Sequence, residues 1–218
     1  MKVIKAGFEM PFEDLTDPVY TAWVMRKLET IGRTCYKSEA QITEESSAKF
    51  VRNLISLGHE AMLEHVSMSV KFIVDRGVSH ELVRHRLASF AQESTRYCNY
   101  SKDKFGGEVT YIKPCYIADD EYANKMWHEV MIDAENAYLG MLKCGKTPQE
   151  ARAVLPNSLK TEIWMTADLR EWRHVLKLRA AGTTGKPHPQ MVEVMMPLLM
   201  HFKKYLPDVF YDIEVEEV

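Results

Sequence analysis

Between Arg84 and Arg96 the chain reads RHRLASFAQESTR, which places three arginines, a histidine and three hydroxyl residues in thirteen positions. Guanidinium groups stay charged and offer a rigid fork of donors, and hydroxyls with nearby backbone N–H groups complete a cradle for a phosphate-like anion. Lys102 and Lys104 follow, and only Glu93 and Asp103 oppose this charge in the same window. A second basic stretch holds Arg152, Lys160, Arg170, Arg173, Lys177 and Arg179. The chain as a whole carries a formal charge of −3 and ends in the acidic DIEVEEV. Two local basic clusters in a mildly acidic protein point to a small anionic ligand rather than a long nucleic-acid track.

Other chemistries fit less well. His80-Glu81 followed by His85 resembles a zinc-protease helix, but the second histidine stands at i+5. At that spacing the rings lie about 140° apart around a helix, so no zinc site is expected there. His59 and His65 bracket HEAMLEH and read, by themselves, as capping or core histidines. Gly182-Thr-Thr-Gly-Lys186 lacks a phosphate loop's first glycine, which Ala180 replaces, and Pro187 stands where a magnesium-binding hydroxyl belongs. No GxGxxG follows a strand. Ser94 with His85 as base would suit a hydrolase, but Ser94 has no GxSxG elbow and His85 no evident acidic partner. Cys98 lies close by without a neighbour that marks it as a thiolate.

The elements that must position these residues follow from periodicity. MKVIKAGF reads as an opening strand. A helix is expected over 18–31, capped by Asp17, turning Val19, Ala22, Trp23 and Leu28 inward and stopping at Gly32. A second is expected over 44–57, ended by Gly58, and alternation over 66–74 gives a half-buried strand. A short helix over 79–86 should carry Arg84 and Arg86, after which Gln92, Ser94 and Arg96 would share one side of an extended segment. VTYIKP reads as a strand, and 119–144 as a long helix with Met126, Val130, Ala134, Ala137 and Met141 on its apolar face. Thr147-Pro-Gln-Glu150 opens the helix that carries Arg152, and TEIWMTA reads as a buried strand. Asp168 caps a helix to Arg179 that should bury Leu169, Trp172 and Leu176. Arg179 at its end suits the helix dipole as well as it suits a ligand. A last helix over 191–205 is interrupted at Pro197.

With 218 residues, 46% hydrophobic and 27% charged, the composition is that of a globular protein. No repeat or flexible linker divides it, so one domain over 1–218 is expected. No apolar run reaches membrane length and no signal peptide is evident at the N-terminus. Cys35, Cys98, Cys115 and Cys144 are scattered, as in a reduced cytoplasmic protein. Strands and helices interleave without a βαβ period, giving an α+β class with a mixed or antiparallel sheet flanked by helices.

Arg84-His85-Arg86, seven residues and then Ser94 resemble the signature of the flavin-dependent thymidylate synthases. GHEAMLEH from Gly58, ARAVLPN from Ala151, and the stretch from Thr166 through Arg170, Trp172-Arg173-His174 and Leu178-Arg179-Ala180 resemble further blocks of that family, in family order. The resemblance implies a homotetramer with FAD and dUMP at subunit interfaces, and no nucleic-acid polymer, membrane or metal. It implies methylation of dUMP to dTMP, with 5,10-methylenetetrahydrofolate as carbon donor, NADPH as reductant through the flavin, and tetrahydrofolate as product. His59, Arg84, His85, Arg86, Gln92, Asp168, Arg170 and His174 would meet FAD. Glu81, Arg84, Gln92, Glu93, Ser94, Thr95 and Arg96 would meet dUMP, with Ser94 and Arg96 at its phosphate and Arg152 arriving from another subunit. Arg179 would act on the uracil, favouring ionisation at N3.

Three departures from the family stand out. Asp168 occupies a place where Asn is common, Ala61 replaces a frequent hydroxyl residue, and the insert AGTTGKP displaces His188 and Gln190. Two other functions compete with this one: a regulatory protein that binds dUMP and FAD without turnover, and an RNA-binding protein using the arginines. The acidic balance and the lack of aromatic stacking motifs oppose the second.

Overall fold

The computed structural model describes residues 1–215, so the last three residues of the acidic tail, Glu216 to Val218, lie outside it. Among the described residues six strands and eight α-helices are formed: β1 (Lys2–Ile4), β2 (Gly7–Glu9), α1 (Pro18–Thr34), α2 (Ser46–Ser56), β3 (Ser67–Asp75), α3 (Arg76–Leu82), β4 (Ala88–Gln92), β5 (Thr110–Ile112), α4 (Glu121–Lys143), α5 (Pro148–Ala151), β6 (Lys160–Asp168), α6 (Leu169–Arg179), α7 (Pro189–Tyr205) and α8 (Pro207–Phe210). The fold is α+β, as expected. The opening strand is broken, however. β1 pairs parallel with β5, Lys2 facing Thr110, whereas β2 joins a four-stranded sheet of order β2-β3-β6-β4. Among the described residues no helix is long and apolar enough to cross a membrane.

Packing divides the chain into two compact units, each assembled from three separate stretches. The first comprises 1–8, 71–85 and 90–164, and the second 9–70, 86–89 and the chain from Met165 onward. β3 and β6 each contribute to both. Along β3, Met68, Val70, Phe72 and Val74 are buried, and along β6, Ile163, Met165 and Ala167, so both strands alternate as a half-buried sheet requires.

In the first unit, α4 turns Met131, Glu135 and Tyr138 inward. The expected stripe is wrong here: Met126 and Val130 are 50% and 56% exposed. The buried face lies one residue further on, about 100° around the helix. Polar bonds select it. The Glu135 carboxylate accepts the Val109 N–H at 2.7 Å, and the Tyr138 hydroxyl accepts that of Tyr100 at 3.3 Å. A count of apolar residues does not register such partners.

In the second unit, Asp17 caps α1 as predicted, accepting the Val19 N–H at 2.8 Å. The helix does not stop at Gly32 but runs on to Thr34. Gly32 is instead a point of close approach: a Cβ there would lie 2.8 Å from both Leu54 and Phe50 on α2. α1 buries Val24 and Leu28 and exposes Val19 and Trp23, so its inward face also differs from expectation. Gly58, after α2, does have the positive φ of +73° that suits a helix-ending glycine. Pro197 stays inside an unbroken α7.

α6 buries Leu169, Trp172 and Leu176, and the Trp172 indole donates to the Met68 carbonyl at 3.0 Å. Arg173 is also buried on α6. Its guanidinium donates to Glu60 at 3.0 Å, to Asp212 at 2.7 and 2.8 Å, and to the Val209 carbonyl. Burial raises the Asp212 pKa, but Arg173 and Lys177 more than reverse this and bring it down from 3.8 to about 2. A depressed carboxyl contributes stability that is present above pH 4 and fades as pH falls towards 2. Arg173→Met is expected to cost about 3 kcal/mol by removing the buried cation that Glu60 and Asp212 share. It should also flatten the acid limb between pH 4 and 2, measured by urea unfolding across pH.

Candidate functional site

In the first unit the signature follows directly after α3. Asp75 caps this helix by accepting the Val78 N–H at 2.7 Å, and the Arg76 N–H bonds the Asn157 carbonyl at 2.9 Å. The helix ends at Leu82 rather than reaching Arg86. Arg84 and His85 continue in a turn, their N–H groups bonding Glu81 and Leu82 carbonyls. Arg84 and Arg86 are therefore exposed while His85 is buried. Glu81 is half-buried on α3.

β4 ends at Gln92, and the next residues turn instead of extending. The N–H groups of Tyr97 and Cys98 both bond the Ser94 carbonyl, at 3.1 and 2.9 Å. The expected common side for Gln92, Ser94 and Arg96 is therefore not formed, because a turn closes where a strand was predicted. Fixed partners hold this segment. Gln92 Nε2 donates to Ser79 Oγ at 2.9 Å and Thr161 Oγ1 at 3.2 Å. The Glu93 N–H bonds the Glu162 carbonyl at 2.8 Å, and its carboxylate accepts Tyr100 Oη at 2.9 Å and Lys160 Nζ at 3.0 Å. Lys160 also binds Glu162 at 2.6 Å, and Glu162 binds Lys71 at 2.7 Å.

Burial lowers the Lys160 pKa, but its bonds to Glu162 and Glu93 outweigh that and hold the ammonium above its ordinary value. Burial, then the nearby Glu93 charge, pushes the Cys98 thiol up, so Cys98 is a poor nucleophile.

Thr95 is buried, and its hydroxyl accepts Arg152 Nη1 at 3.0 Å. Arg152 lies beside Thr95 of its own chain, because the Thr147–Glu150 capping box starts α5 and the following turn carries Arg152 back to the segment after β4. Among the described residues Ser94 Oγ accepts only a 3.3 Å bond from the Arg96 N–H, and the Arg96 guanidinium lies 5.5 Å from the Tyr97 ring. Gln92, Glu93 and Thr95 thus hold the turn, while Ser94 and Arg96 are the residues it presents.

The second unit contains the other candidates: His59, Arg86, Asp168, Arg170, His174 and Arg179. His59 is exposed after Gly58, with Nδ1 2.6 Å from the Tyr36 hydroxyl and the two rings stacked at 6.3 Å. Nothing in the sequence pattern singled out Tyr36. A cavity of about 430 Å³ here is lined by Gly32, Tyr36, Leu54, His59, Met62 and Arg170. Asp168 is the cap of α6, accepting the Glu171 N–H at 2.8 Å. Arg170 is exposed but engaged, 2.5 Å from Glu64 and 3.8 Å from Glu60. With His174 and Lys177 these groups border a cleft of about 780 Å³. Burial raises the Glu171 carboxyl pKa, with His174 opposing. Arg179 is half-buried as the last residue of α6. His188 accepts the Gln190 N–H at 3.3 Å as the cap of α7.

The Lys160–Glu93 pair is mostly buried, at 18% and 13% side-chain exposure. Lys160→Met is expected to cost about 2–4 kcal/mol by stranding Glu93, and adding Glu93→Gln should recover part of it. A double-mutant cycle read by urea denaturation should give a coupling of about 1–3 kcal/mol. Simple additivity would mean that the pair does not hold the turn.

Residues 20–208 match the family model described as thymidylate synthase complementing protein. The chain is 30% identical to the flavin-dependent thymidylate synthase of Corynebacterium glutamicum over 87% of its length and 79% of that protein. It is 31% identical to that of Geobacter sulfurreducens, covering 83% and 78%, and 32% identical to that of Pyrococcus furiosus, covering 72% and 68%. A crystal structure of the UMP/dUMP methylase PolB from Streptomyces cacaoi, bound with 5-Br dUMP, superposes with a TM-score of 0.77 at 20% identity. That match covers 97% of this chain and 96% of the other, a likeness of fold. With the family model spanning both units and relatives at 30% identity or more agreeing along most of the length, the chain belongs to the flavin-dependent thymidylate synthase family.

Proposed function

We propose that the protein methylates dUMP to dTMP, taking the carbon from 5,10-methylenetetrahydrofolate and reducing equivalents from NADPH through FAD, and releasing tetrahydrofolate. The observation that carries this reading is the family match over 20–208, within which the signature segment and Arg152 meet at Thr95. The relatives' common description as flavin-dependent supports the flavin. The residues suit an anionic dinucleotide: the guanidinium groups of Arg84 and Arg86 are exposed and make no hydrogen bond or ion pair among the described residues. With His59, His85, Gln92, Asp168, Arg170 and His174 they form the FAD-binding set of this proposal. Arg170 would exchange Glu64 for the ligand, and Asp168 would serve through the start of α6. The flavin, when bound, supplies the hydride chemistry.

The chain's own residues position and polarise the nucleotide. Ser94 and Arg96 grip the phosphate, and Arg152 reaches the nucleotide at a site shared between subunits. Glu81, Arg84 and the backbone of Gln92 to Thr95 orient the sugar and base. Arg179 sets a permanent cation near N3 of the uracil, where arginine remains protonated and lowers the cost of negative charge. This chemistry needs no enzyme nucleophile, in keeping with a Cys98 thiol held protonated by burial and Glu93. The working form in this proposal is a cytoplasmic homotetramer of single-domain subunits.

Purified protein should be yellow and convert dUMP to dTMP with methylenetetrahydrofolate and NADPH, yielding tetrahydrofolate. A colourless protein that takes up no added FAD would refute the assignment. Arg179→Ala is expected to retain FAD and lower kcat about 100-fold or more. Ser94→Ala should weaken dUMP binding roughly tenfold with less effect on kcat, as loss of one hydrogen bond to a charged group implies. Abolished turnover with intact dUMP affinity would instead make Ser94 the nucleophile.

A further inference from the structure

Within the first unit, a cavity of about 540 Å³ is lined by the start of the turn after β4, by β6 and by the β1–β5 pair. Its volume falls among those of small-molecule pockets, about 300–1,000 Å³. Three lysines line it, Lys2, Lys104 and Lys160, and no arginine does. The register of β1 on β5 sets Lys2 opposite Thr110, and both reach the cavity. Lys104 and Phe105 are brought in by the turn Asp103–Phe105. Gly106, at a φ of +76°, closes that turn by bonding its N–H to the Asp103 carbonyl at 2.8 Å.

Three carboxylates line the same cavity, but each already has a cation. Glu93 holds Lys160 at 3.0 Å, Glu162 holds Lys160 at 2.6 Å and Lys71 at 2.7 Å, and Glu108 holds the Met1 amino group at 2.8 Å. Lys2 and Lys104 have no carboxylate partner among the described residues. The Lys104 ammonium lies over the Phe105 ring, 4.9 Å from its centre. Lys160 uses two of its three donors, on Glu93 and Glu162, and keeps one. Two uncompensated ammonium groups on the exposed side and one spare donor on the buried side therefore share a single cavity. Ammonium groups bind phosphate oxygens as point charges from many directions, whereas a planar carboxylate is best met by the arginine fork that is absent here. Three separated cations suit a chain of phosphates better than a single one.

We propose that this cavity is a regulatory site for a di- or triphosphate group, and that its occupation opposes nucleotide binding at the turn after β4. Lys160 is the link, because the bond that would be shared with the anion is the one that holds Glu93. An anion engaging Lys160 draws the ammonium away from Glu93 and sets negative charge beside that carboxylate. Glu93 also anchors Tyr100 at 2.9 Å, and Tyr100 lines the cavity, so the turn loosens from the same side. Such coupling is reciprocal, and a bound nucleotide would expel the anion by the same factor. The effect on dUMP rests on the proposed function, whereas the anion site does not.

The probe is inorganic tripolyphosphate, titrated by calorimetry into the FAD-loaded protein at low salt without added metal. The wild type should bind it, and the double variant Lys2→Met/Lys104→Met should bind it roughly 10- to 100-fold more weakly, the loss expected for bonds between charged groups. Both substitutions fall on exposed side chains, so FAD content and dUMP affinity without the probe should be unchanged. In the wild type the probe should raise the Kd for dUMP roughly fivefold or more, and in the double variant this antagonism should fade. Antagonism that persists undiminished in the double variant means direct competition at the nucleotide's own phosphate site and overturns the proposal. No binding of the probe, or binding without effect on dUMP, overturns it as well. So does a double variant with weakened dUMP affinity in the absence of the probe. Titration with dTTP identifies the source, counting only the binding lost in the double variant. Tighter binding than tripolyphosphate supports the phosphate tail of a nucleotide, and equal binding supports free polyphosphate. Lysine-dependent binding of the probe is measurable whether or not dUMP is the substrate, so failure of the anion site and failure of the functional reading give different results.

Discussion

The turn after β4 depends on bonds to β6 that neither element can make alone. Gln92 reaches Thr161, the Glu93 backbone reaches Glu162, and the Glu93 carboxylate reaches Lys160. A turn of polar residues left to itself would sample many conformations, and each residue fixed costs about 1–2 kcal/mol of backbone entropy. Here that entropy is removed before any ligand arrives, by bonds that also satisfy half-buried polar groups. Ser94 and Arg96 can then meet an anion without first ordering the chain.

The same constraint separates holding residues from presenting ones. The five residues from Gln92 to Arg96 all carry polar groups that could touch a nucleotide, yet three of them are already occupied. Gln92, Glu93 and Thr95 are committed to Ser79, Tyr100, Lys160 and Arg152. In the second unit Arg170 is likewise committed to Glu64, while His59 is aligned by Tyr36. Electrostatics follow: cations paired with carboxylates stabilise the fold, and those left without countercharge, such as Arg84 and Arg86, keep their potential for a ligand.

Much of this was legible in the residues. Strand alternation marked β3, the run TEIWMTA was read as the buried strand that became β6, Asp17, Thr147 and Asp168 marked helix starts, and Gly58 marked a helix end. Two kinds of feature were not legible. The inward faces of α1 and α4 were misread because a buried Glu135 or a glycine at a close approach decides the face, and neither scores as apolar. Tyr36 and Tyr100 were missed because their significance lies in contacts far along the chain, which no local spacing encodes. The end of α3 and the turn after Gln92 were misplaced for a related reason. Local pattern permitted an extended segment, and the distant partners on β6 selected a turn.

Those distant partners also set a schedule. Gln92 leaves the ribosome about 70 residues before Thr161 does, and at roughly 5–20 residues per second that is an interval of several seconds. During it, the signature segment has its sequence but not its shape, and its arginines face solvent beside an unpaired β4 edge. The nascent chain is therefore most exposed to misassociation in this window, and the ligand-gripping turn forms only as β6 is laid down.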